Sequence, residues 1–448
     1  MLDAFLTMLP EPRPGMVPFS TFMERSLYDP QWGYYSSGEV DFGYGGDFWT
    51  YPHRLSPWFG ELVARRILSY WEGGPFCVVD VAAGHGKFLR DIGNALRRER
   101  PEWASDLRVI ALDKSDANLE VEGVEFVHAS AQDLCDVLPR PFVGALVANE
   151  LFDALAADVY RVCDGVRERL VVGTDDPIDV VLDDPEQDRV WYGAWEAVDG
   201  EPYLEARADV RPDRAQMVAA HGPETAPIAL AMGALLAEPG ARAAAFVFDY
   251  GGAAQHIWDT GTREPHIRTY GGQREHDPFE TPSLIDLTWD VDFTWIAEKL
   301  RQGGAEVVFY GVQGALDPDF LLWSPPWRDE IVSQCIGEGF EPMEALLEAW
   351  NVVQNFYVAP GFRILAAASP GMPDLGLGTS DPLWLDELMT TPNTLPLEAL
   401  RARFEEDAEA IIAALRPGGS PVDDLCDQGL YQRRWEVLEV LRGAQGEP

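Results

Sequence analysis

Val78-Val79-Asp80-Val81-Ala82-Ala83-Gly84-His85-Gly86 decides the fold. The stretch reads as strand, glycine turn, helix. Val78 to Ala82 is a short apolar run suited to a buried parallel strand. Gly84 and Gly86 permit a tight turn, and Phe88, Ile92 and Leu96 follow at helical spacing. Such a turn brings backbone N–H groups and a helix N-terminus up to a ligand. Asp80, at the end of the strand, would orient the turn. The next apolar run, Arg108-Val109-Ile110-Ala111-Leu112-Asp113, ends in an acid placed to grip a ribose. Together they describe a nucleoside-cofactor site. The position three after Gly86 is Leu89, so the G-x-G-x-x-G of redox dinucleotide folds is not met, which argues against NAD or FAD.

Ordered motifs flank this core. Before it stand Phe22-Met23-Glu24-Arg25-Ser26-Leu27-Tyr28-Asp29-Pro30, Gly33-Tyr34-Tyr35, Gly45-Gly46-Asp47-Phe48-Trp49-Thr50 and Ser56-Pro57-Trp58-Phe59-Gly60-Glu61. After it come Ala148-Asn149-Glu150-Leu151-Phe152-Asp153-Ala154-Leu155, Phe248-Asp249-Tyr250-Gly251, Arg268-Thr269-Tyr270 and Asp286-Leu287-Thr288 with Val291-Asp292-Phe293. The series resembles the MidA-like methyltransferase family, which includes a mitochondrial complex I assembly factor that methylates a protein arginine. This chain looks like a divergent member. The resemblance covers roughly residues 15 to 370. It implies an α/β fold of the class I, S-adenosylmethionine (SAM) methyltransferase type: a Rossmann-like doubly wound sheet with an N-terminal cap, inserted acceptor-side elements and a C-terminal helical extension.

For the cofactor, the resemblance implies contacts from Gly46 and Asp47 of the cap, from Asp80, Ala82, Gly84 and Gly86 at the turn, and from Asp113, Asp133 and Asn149. Ala82 stands where such enzymes often carry their first glycine. Asp113 would accept from the ribose hydroxyls. Asp133 falls where adenine is usually read, and it could equally cap a helix. The cap departs from the family at Thr50-Tyr51-Pro52-His53-Arg54-Leu55-Ser56, where a usual glutamate is lost. Two usual histidines are also replaced on the acceptor side, by the Gly272-Gln273 region and by Asp290.

Methyl transfer from a sulfonium requires alignment of a nucleophile and, where needed, removal of its proton. Glu150, Asp153, Asp249 and Tyr250 are the candidates for this work. Asn149-Glu150 ends a strand, where α/β sheets present their ligand crevice. Glu150 and Asp153 are three apart, so a helical turn from Leu151 would project both to one side, able to hold a guanidinium or take a proton. Tyr34, Tyr35 and Tyr270 are candidate walls. His85 lies inside the glycine turn, while His53, His256, His266 and His276 show no metal-ligand spacing, so no metal site is expected.

Composition narrows the class. The chain has 448 residues, 46% hydrophobic, with fifteen Trp, enough to bury a large core. Its formal net charge of −41 disfavours nucleic-acid and anionic-membrane partners and attracts cationic ones. Five scattered cysteines without C-x-x-C read as reduced thiols, and the N-terminus lacks a signal-peptide pattern. These features give the expectation of a cytoplasmic protein.

Along the chain, residues 1–70 read as a cap and 71–155 as the first half of the cofactor domain. Residues 156–240 read as an insertion with helices and a hairpin around Asp164-Gly165, followed by an acidic loop from Asp175 to Asp188. Residues 241–370 give the second half of the sheet, with a long polar loop from Gly251 to Thr288, and 371–448 a helical extension. The expected activity is SAM-dependent methylation of a protein or peptide side chain, at an arginine-like nitrogen or a carboxyl or hydroxyl oxygen. Two other readings fit: a natural-product tailoring O-, N- or C-methyltransferase acting on a small molecule, and a non-catalytic assembly factor that keeps the fold. A homodimer is the assembly considered.

Overall fold

Phe76–Val81 is buried at every position, as a strand covered on both faces must be. In the computed structural model it lies between Leu107–Asp113 and Val143–Asn149, parallel to both. The main path of this sheet is Glu306–Val312, Phe362–Ala368, Arg242–Gly252, Val143–Asn149, Phe76–Val81, Leu107–Asp113, Glu125–His128, with Val291–Asp292 added on Arg242–Gly252. Phe362–Ala368 alone runs antiparallel to its neighbours. The expected doubly wound α/β sheet is therefore present, and the two apolar runs around the glycine turn are neighbouring strands within it. The structure describes residues 6–9, 11–36, 50–114, 121–163, 165–178, 190–207, 216–254, 257, 267–271, 274–275, 278–279, 282–319, 321–324, 327–359 and 361–377. Among these, no helix is long and apolar enough to cross a membrane.

Alternation along the strands sends side chains to both faces. Val79, Val81, Leu146, Ala148, Ala245 and Val247 share one apolar cluster with Ile228 and Met232 of helix Thr225–Ala237 and with Ile296 and Leu300 of helix Phe293–Gln302. Elsewhere, helices Trp58–Leu68 and Lys87–Glu99 meet through stacked Phe59 and Phe88, ring centroids 4.8 Å apart, with Phe248 against both edges.

The segment after Asn149 departs from expectation. The hairpin forms, Asp158–Cys163 against Val166–Thr174, with Cys163 opposite Val166. It is the centre of a second sheet, ordered Leu6–Met8, Trp191–Ala197, Val166–Thr174, Asp158–Cys163, Gln216–His221, with Val17–Pro18 added on Val166–Thr174. The expected helices form as well, Pro202–Ala206 and Thr225–Ala237, and the hairpin belongs to a sheet that also recruits the N-terminal cap. The pairing of Leu6 with Trp191 joins residues far apart in sequence, which no local pattern encodes. The acidic stretch beyond Ile178 lies outside the described residues up to Arg189.

The expected polar loop after Gly251 is also corrected. Ile267–Gly271 pairs with Arg274–Glu275 and Asp286–Trp289 as a small antiparallel sheet. Val291–Asp292 then lies parallel to Gly251–Gly252. Gly251 has φ +144°, and a Cβ there would sit 2.2 Å from the Val291 carbonyl oxygen. Only glycine lets this strand approach, and the approach brings Asp286–Asp292 to the carboxyl end of the main sheet.

The chain divides into two units. The second comprises Asp319–Val358 and Thr394–Pro448, so it interrupts the region expected to be the second half of the sheet. Its described part is a pair of helices, Trp327–Gly337 and Pro342–Val358, with Trp323 edge-on to Trp350 at 5.0 Å. The helices expected at 397–415 and 430–441 lie outside the described residues.

Candidate functional site

The glycine turn is built from backbone bonds. Ala82 N–H and Ala83 N–H both donate to the Leu112 carbonyl, at 2.8 and 3.2 Å. Gly84 N–H donates to Asp113 Oδ2 at 2.9 Å. Three residues take left-handed backbone: Ala82 at φ +64°, Gly84 at +47° and Gly86 at +65°. Ala82 therefore adopts the conformation a glycine would, at a strain of about 1–2 kcal/mol. Helix Lys87–Glu99 then starts without a side-chain cap, leaving first-turn N–H groups to a ligand.

This turn fits a nucleoside cofactor on two observations. A Cβ added at Gly84 would meet nothing within 4 Å, so the turn is open on that side. Asp80 is only 3% exposed, yet its Oδ1 has no hydrogen-bond partner among the described residues. Burial, with the Asp113 charge adding, pushes the Asp80 pKa up to about 8. Asp80 is thus a buried acid able to receive a charged or donor group. Asp113 anchors Gly84 through Oδ2. Asp113→Ala is expected to weaken SAM by roughly 1.5–3 kcal/mol, the range for bonds to a charged group. Equilibrium dialysis checks this, and unchanged affinity for S-adenosyl-homocysteine would exclude the ribose role.

The other cofactor candidates are dispersed. Asp133 is exposed on the 3₁₀ turn Ala131–Asp133, where Ser130 Oγ, not Asp133, accepts the capping bond from Gln132 N–H. Gly46 and Asp47 lie outside the described residues, as do His256, His266, His276 and Gln273. The cap resumes at helix Tyr51–Arg54, where Thr50 Oγ1 bonds His53 Nδ1 at 2.9 Å. Burial, with the Lys87 and His85 charges adding, lowers the His53 pKa to about 4. A neutral imidazole thus replaces the family's glutamate within electrostatic reach of the glycine turn.

On the adjacent strand, Asn149 ends the regular run and Glu150 turns to φ +49°. Leu151–Leu155 is a turn, so the expected helix does not form. Asp249 does the work instead. Its Oδ2 accepts from Phe152 N–H at 3.0 Å and Asp153 N–H at 3.3 Å, and its Oδ1 accepts from Tyr250 N–H at 2.9 Å. Asp249, expected as a catalytic acid, clamps backbone with both of its oxygens.

Around this clamp the acids converge. Thr288 Oγ1 donates to Asp153 Oδ2 at 2.8 Å, and the Tyr250 hydroxyl bonds Thr288 Oγ1. Tyr35 Oη donates to Asp286 Oδ1 at 2.8 Å, and Tyr28 Oη to the Ala154 carbonyl at 2.7 Å. Tyr28 and Tyr35 stack at 5.5 Å, with Tyr34 edge-on to Tyr35 at 5.2 Å. Of the expected aromatic walls, Tyr34 and Tyr35 are in place, while the Tyr270 side chain lies outside the described residues. Asp290 pairs with Arg268 at 2.5 Å, and that guanidinium lies 4.9 Å from the Tyr250 ring centroid. Burial and mutual repulsion push the Glu150 pKa up to about 8 and raise Asp249 well above the carboxylate range. Burial raises Asp153 too, opposed by the Tyr250 and Thr288 hydroxyls.

Asp286 and Thr288 belong to a quoted motif, but the sequence assigns them no role at the site. Their signal is period two: Asp286, Thr288 and Asp290 alternate with Leu287 and Trp289, both fully buried.

Comparison with known proteins follows this geometry. Residues 62–311 match the model of a family of S-adenosyl-L-methionine-dependent methyltransferases. The zebrafish mitochondrial protein arginine methyltransferase NDUFAF7 is 25% identical over 325 residues, covering 66% of this chain and 71% of the relative. The Drosophila melanogaster homologue is 25% identical over 315 residues, covering 62% and 65%. A Burkholderia thailandensis protein crystallised with S-adenosyl-homocysteine shares the fold, with TM-score 0.61 and 23% identity over 84% of this chain and 99% of that one. The relatives overturn the expected cytoplasmic location, since they are named mitochondrial. Unpaired thiols report a reducing environment, not which compartment supplies it.

Proposed function

Because the chain belongs to this S-adenosyl-L-methionine-dependent methyltransferase family and is such an enzyme, we propose that it methylates a cationic side-chain nitrogen of a protein, arginine-like in form. The observation that carries this is the group formed by buried Asp153, Asp249 and Asp286 with half-buried Glu150 beside the glycine turn. Carboxyls buried together repel and resist ionisation, and an entering cation relieves both effects. A planar guanidinium suits such a group, because it can donate to several oxygens at once. The Tyr28 ring, stacked on Tyr35, already carries a cation on its face, with Lys114 Nζ 3.2 Å from its centroid. The likeness to protein arginine methyltransferases supports the choice.

When bound, SAM supplies the methyl carbon and the leaving group. The chain's own residues do the rest. Gly84 and the uncapped helix start admit the cofactor, and Asp113 holds its ribose. Asp249 fixes the Phe152–Asp153 backbone, while Glu150 and Asp153 hold the acceptor and receive its proton.

The test is to incubate the enzyme and methyl-labelled SAM with protein extract from the host, then separate protein from small molecules. Label on arginine in the protein fraction is expected. Label confined to small molecules would overturn the proposal in favour of a tailoring enzyme.

A further inference from the structure

We propose that Thr288 is a positioning residue for the acceptor: its hydroxyl fixes Asp153 by one carboxyl oxygen and leaves the other to the acceptor cation. The inference rests on the acid group being the acceptor site. Thr288 is 1% exposed and Asp153 4%. The threonine has one proton, and it is committed to Asp153 Oδ2 at 2.8 Å. The Tyr250 hydroxyl bonds Thr288 Oγ1 and also reaches the Asp153 carboxyl, so both hydroxyls serve the same acid.

Asp153 Oδ1, in contrast, is buried with no hydrogen-bond partner among the described residues. The neighbouring acids differ. Asp249 spends both oxygens on backbone N–H groups, and Asp286 Oδ1 takes the Tyr35 hydroxyl. Glu150 Oε1 receives only a long contact of 3.4 Å from the Asn149 amide. Asp153 alone combines a fixed oxygen with a buried, unpartnered one. A hydroxyl donor favours the ionised carboxyl, so Thr288 also opposes the effect of burial on Asp153. The titratable groups around Asp153 are Glu150 from its own turn, Asp249 and Tyr250 from the Arg242–Gly252 strand, Asp286 from its strand, and Tyr28 and Tyr35 from the cap. Two cations lie at the rim among the described residues: Arg268, over Tyr250 and paired with Asp290, and Lys114, over Tyr28.

The experiment is calorimetric titration of N-methylguanidinium into the full-length protein saturated with S-adenosyl-homocysteine, between about pH 5 and about pH 9, in two buffers of different ionisation enthalpy. The wild type is expected to bind more tightly as pH rises and to release protons on binding. Thr288→Val should bind about tenfold more weakly near neutral pH, with the midpoint moved up by about one pH unit, the equivalent of tenfold. Thr288→Ser should restore both. Tyr250→Phe, which removes the second hydroxyl acting on Asp153, should also move the midpoint upward. Binding by Thr288→Val with the wild-type midpoint, or failure of serine to restore it, would overturn the positioning role while leaving the acceptor reading intact. No binding by the wild type at any pH would overturn the acceptor reading, and this proposal with it.

Discussion

Gly84→Val should abolish cofactor binding while the protein still folds. A Cβ at Gly84 meets nothing within 4 Å, so packing tolerates the new side chain. The cost to the fold is that of a branched residue at φ +47°, about 1–2 kcal/mol. The same side chain fills the open face of the turn, where the cofactor must approach backbone N–H groups. A loss on the order of 10³-fold in SAM affinity is expected, as for removal of several charge-assisted contacts together. Gly86→Val would answer less cleanly, because a Cβ there lies 3.2 Å from Phe126 Cζ and disturbs packing as well. Equilibrium dialysis with labelled SAM, beside thermal unfolding, separates the two effects. A folded Gly84→Val protein with wild-type affinity would place the cofactor elsewhere.

Asp153→Asn and Glu150→Gln should lower turnover by roughly 10²–10³-fold and leave SAM affinity unchanged. Both substitutions keep shape and remove the ability to hold a cation or take a proton. Neither residue bonds the glycine turn. Glu150 bonds the Phe248 carbonyl through its backbone, which the substitution retains. Steady-state rates on the labelled acceptor, compared with dialysis, test the pair. Full turnover in both variants would remove the carboxylates from the reaction. Lost SAM binding would instead assign them to the cofactor pocket.

The sequence made the main sheet legible because its signals are local. Phe76–Val81 and Leu107–Asp113 are apolar runs with an acid at or next to the last position, and the turn after Val81 carries its own glycines. The second sheet was hidden because Leu6–Met8 pairs with Trp191–Gly193 across most of the first half of the chain. The site was half legible. Glu150, Asp153, Asp249 and Tyr250 do converge, but for a reason the sequence hides. A helical spacing from Leu151 was expected to align Glu150 with Asp153, whereas left-handed backbone at Glu150 and the Asp249 clamp do so. No pattern of residues tells which of several acids spends its oxygens on backbone N–H groups. Asp286 and Thr288 were within reach of a period-two reading, masked by the assumption that a polar stretch is loop.

A crystal structure with S-adenosyl-homocysteine bound tests the central claim, that one crevice joins the glycine turn to the buried acids. The ribose hydroxyls should lie on Asp113, and the sulfur should face the Glu150–Asp153 turn with no protein atoms between. A ligand bound away from Gly84, or a sulfur walled off from Asp153 by packed side chains, would contradict it.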